Sequence, residues 1–326
     1  MTRELDVHGN NMLRWAAAHP EAIVLSADLG NSCELKNFPK NFPGRYYNLG
    51  LAEQNMVGWA AGLAREGFKP YLHTFAVFLY RRTLDQIEMS VAYPNLPVTF
   101  VTFCPGLTTP GGVTHQATND IAIMRNIPNM TILDMGDATD VESALDMAEA
   151  AGGPVYIRML RRDVPRIFPA DKPSRLNKGR VISEGTDIAV FSCGICTEEA
   201  MYAVKALQDK GLSVQHMHIS TLKPFSDPAV LESLRKVKYG AVTIENHTII
   251  GGLGSIILEL MAENKVGIDL IRLGLQDVYA VGASQKYLLR EHAMDSAAVV
   301  KAAEKLTGKS FGIDDAALEA AKVSIC

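Results

Sequence analysis

Short apolar runs alternate with segments of helical periodicity along most of the chain, and this alternation constrains the fold more than any other feature. Strands are predicted at the apolar runs 22–30, 97–106, 130–135 and 154–160. Helices closed by Gly or Pro are predicted at 52–67, 82–93 and 137–152. Because successive parallel strands need a crossover, usually a helix, this alternation predicts an α/β fold built on mostly parallel sheets.

A proline-rich segment interrupts the alternation. Residues 161–179, RRDVPRIFPADKPSRLNKG, contain three prolines and no apolar period, which is typical of a linker. Strand and helix patterns restart beyond it, and a length of 326 residues fits two domains better than one. We predict a first domain at 1–165, a linker at 166–184 and a second domain at 185–326, each domain consisting of a mostly parallel sheet with flanking helices.

Composition and charge exclude several classes of protein. The apolar fraction of 48% is sufficient for packed cores, so the chain is not intrinsically disordered. A formal net charge of -4 gives no general attraction to nucleic acid or to anionic membranes. No run of 18 apolar residues occurs, and Arg3, Glu4 and Asp6 interrupt any secretion signal at the N-terminus. We therefore expect a cytoplasmic protein without nucleic-acid or membrane partners.

The cysteines do not form a recognisable framework. Cys33, Cys104, Cys193, Cys196 and Cys326 make an odd number in a large chain, which argues against a set of disulfides. The Cys193-Gly-Ile-Cys196 spacing is that of a redox motif or half a zinc site, but no second ligand pair follows it. We interpret Cys193 and Cys196 as small core residues at a strand-to-helix junction and predict no metal site in this chain.

Three segments contain residues that could carry chemistry. Glu53 lies in the first turn of a predicted helix, where the helix dipole alone favours a carboxylate. Phe75 and Phe78 are three residues apart and share one face of a helical turn, a pattern more typical of a core than of a cofactor pocket, and Arg81 extends that face with a charge that needs a partner. His115 follows a predicted strand, at the sheet edge where α/β proteins bind ligands, and its role stays open at this point.

Taken in order, these segments resemble the transketolase family. The pyrimidine-binding domain of that family is matched by "SADLGNS", "GLAEQNMVGWAAGLA", "TFAVFLYRRTLDQI", "GGVTHQ" and "GPVYIRMLRRDVP". The family's C-terminal domain is matched by "GTDIAVFSCG", "LKPF", "TIENHTIIGGLGS" and "LGLQDVY". The family's N-terminal domain, which holds Mg2+ and the diphosphate, has no counterpart here. The chain therefore resembles the C-terminal subunit of a split transketolase.

This resemblance implies a cofactor, a partner and a reaction. The implied activity is transfer of a two-carbon ketol group between sugar phosphates with thiamine diphosphate and Mg2+. The metal ligands and the diphosphate site are expected from an N-terminal transketolase subunit, in a heterotetramer with two copies of each chain. The implied enzyme is a transferase that is active only with this partner.

The resemblance also implies roles for residues on the cofactor side. Glu53 matches a glutamate that hydrogen-bonds N1' of the cofactor's pyrimidine and so serves in acid-base catalysis. Phe75 and Phe78 match aromatic residues that pack around the pyrimidine, and Asp28 matches a loop on the cofactor side. Arg81 occupies a cofactor-side position where many transketolases have Tyr.

On the substrate side, His115 matches a catalytic histidine that hydrogen-bonds the donor ketose. Arg161 matches an arginine that binds the sugar phosphate, for which a planar guanidinium is suited. Ser32 and Arg3 match further phosphate contacts.

Two positions depart from the family pattern. Phe103 replaces a phosphate-contacting histidine, and Gly111 replaces an aspartate that reads an aldose hydroxyl. We expect these positions to leave an apolar face and an open space at the acceptor end, which favours a branched or modified sugar such as apulose 4-phosphate. The alternatives are the β subunit of a 2-oxo acid dehydrogenase, a 1-deoxyxylulose-phosphate synthase, or a non-catalytic scaffold that pairs with a transketolase half. Retention of Glu53 and His115 argues against a scaffold.

Overall fold

The structure is a computed structural model and describes residues 1–325. Cys326 lies outside the described residues. The strands are β1 (Thr2–Glu4), β2 (Ala22–Ser26), β3 (Tyr46–Asn48), β4 (Lys69–Phe75), β5 (Thr99–Phe103), β6 (Thr131–Asp134), β7 (Val155–Arg158), β8 (Val164–Arg166), β9 (Arg180–Ser183), β10 (Ile188–Ser192), β11 (Val214–His218), β12 (Thr221–Lys223), β13 (Gly240–Thr248) and β14 (Leu270–Leu275). The α-helices are α1 (Val7–Ala18), α2 (Phe38–Asn41), α3 (Glu53–Arg65), α4 (Ala76–Arg82), α5 (Asp120–Asn126), α6 (Ala138–Ala151), α7 (Cys196–Asp209), α8 (Pro228–Lys236), α9 (Leu253–Glu263), α10 (Gln285–Glu291), α11 (Ser296–Thr307) and α12 (Asp315–Ile325).

The N-terminal half of the chain builds a seven-stranded sheet in the order β12-β6-β7-β5-β4-β2-β3. The pairs from β6 through to β3 are all parallel. Strand β12 comes from the C-terminal half of the chain and pairs antiparallel with β6 at the sheet edge. The predicted α/β architecture with a mostly parallel sheet is therefore confirmed, and the edge of this sheet is completed by a segment more than 80 residues downstream of β6.

The C-terminal half builds a five-stranded sheet in the order β14-β13-β10-β11-β9. Its first four strands are parallel, and β9 is antiparallel to β11. Strand β9 lies within the 166–184 segment that we interpreted as a linker, so the end of that segment forms an edge strand. The last residue of strand β8, Arg166, also lies within the 166–184 segment, and β8 pairs antiparallel with β1.

The region around Phe75 differs from the sequence-based expectation. Residues 69–75 form strand β4, which the apolar pattern did not separate from the following helix, because short continuous apolar runs fit either structure. Phe75 therefore ends a strand, and α4 begins at the next residue. The helix predicted at 82–93 is divided into the end of α4 and a π-helix at Gln86–Ala92.

The cysteine interpretation is confirmed for the described cysteines of the motif. Cys193 and Cys196 are fully buried, at the turn from β10 into α7. Gly194 between them has a φ of 53°, a left-handed conformation that suits glycine.

Every helix between residues 1 and 325 is too short or too polar to span a bilayer.

A buried ionic cluster joins the two sheets. The Arg158 guanidinium at the end of β7 is fully buried and donates to Asp120 at 2.9 Å and to Asp134 at 2.8 Å. Its third bond, at 2.8 Å, goes to the main-chain oxygen of Asn246 on β13. Because an unpaired buried charge is strongly unfavourable, this network fixes how the C-terminal half packs on the first sheet.

Candidate active site

Several of the predicted site residues lie at the carboxyl edge of the seven-stranded sheet. Strands β2, β4, β5 and β7 are parallel, so the segments that follow them leave from the same edge. These segments carry Asp28 and Ser32 after β2, Phe78 after β4, His115 after β5 and Arg161 after β7.

An aromatic group forms the centre of the site. The Phe75 and Phe78 rings lie 5.7 Å apart, with their planes within 26° of parallel. The His115 imidazole meets both rings edge-on, with its centroid 6.4 Å from Phe75 and 5.3 Å from Phe78. The two phenylalanines therefore face the same side, as predicted, and the predicted histidine joins them. Rings arranged in this way offer a surface on which a flat heterocycle can pack.

Glu53 approaches the aromatic group from helix α3. Its carboxylate is at the first residue of the helix and is only 3% exposed. The Arg82 guanidinium donates to Glu53 Oε1 at 2.7 Å and lies 4.4 Å from the centre of the Phe78 ring. Arg82 therefore connects the carboxylate to the aromatic group. Arg82 was not singled out from the sequence, although a residue four positions after Phe78 lies on the same side of a helix.

A buried carboxylate beside an aromatic pair fits the pyrimidine of thiamine diphosphate. A carboxylate is the residue type that can share a proton with a ring nitrogen, and the Arg82 side chain that pairs with Glu53 is 49% exposed. Phe78 is half-buried, so part of its ring is open to contact. Between residues 1 and 325 there is no group of three His, Cys, Asp or Glu side chains that could hold a metal ion.

Arg161 extends the site on the other side of Phe75. Its guanidinium lies 5.1 Å from the centre of the Phe75 ring and donates to the Ser32 main-chain oxygen at 3.1 Å. The Cys104 thiol is its neighbour. Burial raises the pKa of this thiol, with Arg161 acting in the opposite direction, so Cys104 is a neutral neighbour of the Arg161 guanidinium.

The expectation for Phe103 and Gly111 is wrong. Phe103 is fully buried and its ring lies 5.5 Å from His8, on the core side of the sheet. A Cβ at Gly111 would come within 2.9 Å of His115 Cβ and Cγ, so the imidazole fills the space that we expected to be open. Cys104, the first residue after β5, has a φ of 56° and is the residue that reaches Arg161.

Arg3 lines a cavity between the two halves of the chain. It donates to Glu198 on α7 and to the Asp163 main-chain oxygen at 3.3 Å. The cavity has a volume of about 550 Å3. Its cationic lining residues are Arg3, Arg161, Arg162, Lys286 and Lys322. The structure thus brings Arg3 and Arg161 to one cavity, although Arg3 is already paired with acidic groups.

Asp28 and Arg81 make other contacts. Asp28 is exposed and accepts a hydrogen bond from the Asn48 side chain at 2.9 Å. Arg81 donates to the Tyr80 hydroxyl at 2.8 Å and to the main-chain oxygens of Val113 at 3.0 Å and Gln116 at 3.4 Å. Its guanidinium therefore faces the segment that carries His115 rather than the Phe75 and Phe78 rings.

Comparison with known proteins identifies the same two regions. Residues 5–166 match the family described as "Transketolase, pyrimidine binding domain", and residues 177–299 match "Transketolase, C-terminal domain". The 6-deoxy-6-sulfo-D-fructose transketolase subunit SqwH of Clostridium sp. strain MSTE9 is 37% identical over 93% of this chain and 94% of its own length. A 1-deoxy-D-xylulose-5-phosphate synthase of Caldanaerobacter subterraneus subsp. tengcongensis is 33% identical over 90% of this chain but only 47% of its own length. A solved structure described as "Split gene transketolase, inactive beta4 tetramer" superposes with a TM-score of 0.86 at 35% identity, over 94% of this chain and 99% of that chain.

Proposed function

Because the chain belongs to the transketolase family and corresponds to the C-terminal subunit of a split transketolase, we propose that it provides the pyrimidine-binding and substrate-binding side chains for transfer of a two-carbon ketol group between anionic sugars. The observation that carries this proposal is the continuous row of contacts from Glu53, through Arg82 and Phe78, to His115. Phe75 continues the row to Arg161.

Each end of this row suits a different part of the reaction. Thiamine diphosphate, when bound, supplies the nucleophilic carbon that accepts the ketol group. Glu53 holds a proton at the pyrimidine nitrogen, which requires its carboxylate to exchange Arg82 for the cofactor. Phe75 and Phe78 pack against the ring and exclude water from it.

His115 and Arg161 act on the sugar. The His115 imidazole packs edge-on against the two phenyl rings. In this position its Nε2 can hydrogen-bond a hydroxyl or carbonyl group of the donor sugar beside the cofactor. Its Nδ1 is 2.9 Å from the Thr114 hydroxyl, which holds the orientation of the ring. Arg161 then binds the anionic end of the sugar, since a guanidinium forms two parallel bonds to a tetrahedral anion.

The anion is a phosphate or a sulfonate. Both present oxygens in the tetrahedral arrangement that Arg161 can bind, and Arg3 can join it only by exchanging its Asp163 and Glu198 partners for the anion. A sulfonated ketose is a reasonable donor because the relative from Clostridium is named for 6-deoxy-6-sulfo-D-fructose. Apulose 4-phosphate remains one phosphorylated candidate, but the positions Phe103 and Gly111 no longer argue for it.

The partner in this proposal is an N-terminal transketolase subunit that binds Mg2+ and the diphosphate, in a complex with two copies of each chain. The similar solved structure is described as an inactive β4 tetramer, which supports the expectation that such a chain alone does not turn over substrate. Thiamine diphosphate should bind weakly to the chain alone, because the diphosphate and Mg2+ sites are expected on the partner.

The test is an assay of this chain with and without the N-terminal transketolase subunit from the same organism. The donor panel contains fructose 6-phosphate, xylulose 5-phosphate, apulose 4-phosphate and 6-deoxy-6-sulfofructose, with aldose acceptors, and mass spectrometry identifies the products. We expect ketol transfer only from the mixture of both chains. Robust transfer by this chain alone would overturn the split-subunit proposal. Decarboxylation of 2-oxo acids by the mixture, without ketol transfer, would favour the dehydrogenase alternative.

A further inference from the structure

The segment that carries His115 contacts the C-terminal half of the chain at several points. We define residues 104–118 as the His115 loop. At its start, the Leu107 main-chain nitrogen donates to Asn246 Oδ1 at 2.9 Å, and Asn246 Nδ2 donates to the Pro105 oxygen at 3.1 Å. Gly106 between them has a φ of 55°, and a Cβ there would lie 2.3 Å from the Asn246 oxygen. Strand β13, which contains Asn246, therefore fixes the first turn of the loop.

The side chain of Leu107 provides an apolar anchor for the loop. It is buried in a small cluster whose other members all belong to the C-terminal half. These members are Leu275, Ala280, Leu288, Leu289 and Met294. The loop thus contributes one residue to the packing of the other half, and any displacement of the loop would expose that residue to water.

The far end of the loop is held by a second set of contacts. Gln116, the neighbour of His115, is 1% exposed and donates to the Val281 oxygen at 3.2 Å. A Cβ on Gly282 would lie 2.8 Å from the Pro110 oxygen, so the two backbones are in close contact. The Thr118 oxygen accepts a 2.7 Å bond from the nitrogen of Thr248, at the end of β13. The loop is therefore fixed on both sides of His115.

The His115 imidazole reaches back to the first half of the chain, where it meets the Phe75 and Phe78 rings. Arg81 of that half also contacts the loop, at the Val113 and Gln116 main-chain oxygens. We propose that the C-terminal domain sets the conformation of the His115 loop, with Asn246, Gln116 and the Leu107 anchor as positioning residues. In the reaction proposed above, on which this role rests, the domain keeps His115 aligned with the donor sugar. A displacement of about 1 Å at a reacting group costs on the order of 100-fold in rate, so this support matters for turnover.

Gly282→Ala tests the proposal with a small change. The added methyl group would lie 2.8 Å from the Pro110 main-chain oxygen, so the Pro110 backbone must move away, and the φ of Gly282 lies outside the left-handed region that alanine avoids. In the assembled complex we expect faster hydrogen exchange in peptides spanning 104–118 and roughly tenfold lower kcat, with unchanged affinity for thiamine diphosphate. Gly267→Ala is the matched control, because a Cβ there meets nothing within 4 Å.

A second pair of variants, at Leu107, tests whether the result depends on the contact with the C-terminal half and not on the substitution at position 282 itself. Leu107→Ala removes the anchor and should produce the same two changes, whereas Leu107→Met keeps the cluster filled and should restore most of the exchange protection. Wild-type exchange and kcat in both Gly282→Ala and Leu107→Ala would overturn the proposal. A wild-type complex that lacks ketol transfer would refute the proposed function alone, because hydrogen exchange reports on the loop without any activity.

Discussion

Replacing Glu53 with Gln removes the ionisable proton while keeping the shape of the side chain. The carboxylate is 3% exposed and accepts a 2.7 Å bond from Arg82, whose side chain is 49% exposed. The amide oxygen of Gln can accept the same bond. A pair with one partner this exposed contributes about 0–1 kcal/mol to stability. Because 1 kcal/mol shifts Tm by about 2–4 °C in domains of 150–250 residues, we expect Glu53→Gln to lower Tm by less than about 4 °C.

The effect on activity should be much larger. Loss of a positioned acid-base group lowers turnover by about 10² to 10⁴. Since each factor of ten corresponds to about 1.36 kcal/mol, this range equals roughly 2.7 to 5.4 kcal/mol of activation free energy. The predicted loss of catalysis is therefore several times the predicted loss of stability, and the two effects can be separated by experiment.

The measurement is kcat and Tm on the same preparation of the assembled complex. Glu66→Gln provides the control, because Glu66 is exposed at the other end of helix α3. Full activity of Glu53→Gln together with a small fall in Tm would refute the acid-base role. Glu53 would then be a carboxylate favoured only by the helix dipole, which contributes about 0.3–1 kcal/mol.

Three further predictions concern charged groups. Arg161→Ala should raise KM for an anionic donor about tenfold or more but leave KM for its uncharged analogue unchanged, because only the anionic donor loses a charge-assisted bond. Equal effects on both donors in steady-state assays would mean that Arg161 is structural. Arg158→Met should lower the free energy of unfolding by about 3–5 kcal/mol in denaturant titrations, since it leaves buried carboxylates unpaired, and a loss below about 1 kcal/mol would contradict this. Burial would lower the pKa of His218, but the Asp140 carboxylate at 2.7 Å outweighs it and the pKa is raised. The charged pair therefore stabilises the fold fully below a pH of about 6.5, and this stabilisation is lost as the pH rises through the folded-state pKa. The denaturant concentration at the midpoint of unfolding should therefore decrease as the pH is raised in the wild type. It should not show this decrease in His218→Asn.

The sequence by itself determined the α/β class, the two sheets and most of the residues that meet in the site. Apolar runs and helical periods are local patterns, and parallel strands separated by helices place their following segments at one edge. The local patterns left the roles of Glu53, Phe75, Phe78 and His115 open, and only the resemblance to transketolases implied that these residues belong to one site. The roles that the resemblance implies for them stay predictions.

The tertiary structure alone decided which neighbouring residue faces the site. Phe103 is the last residue of β5 and points into the core, whereas the chain leaves the strand at Cys104, whose φ of 56° is left-handed and whose thiol lies beside Arg161. Arg82 rather than Arg81 reaches Glu53 for a similar reason, because adjacent helical positions point in directions about 100° apart. The support of the His115 loop by Asn246 joins residues about 140 positions apart. Local patterns carry no information on such a contact, because it depends on how the two halves pack against each other.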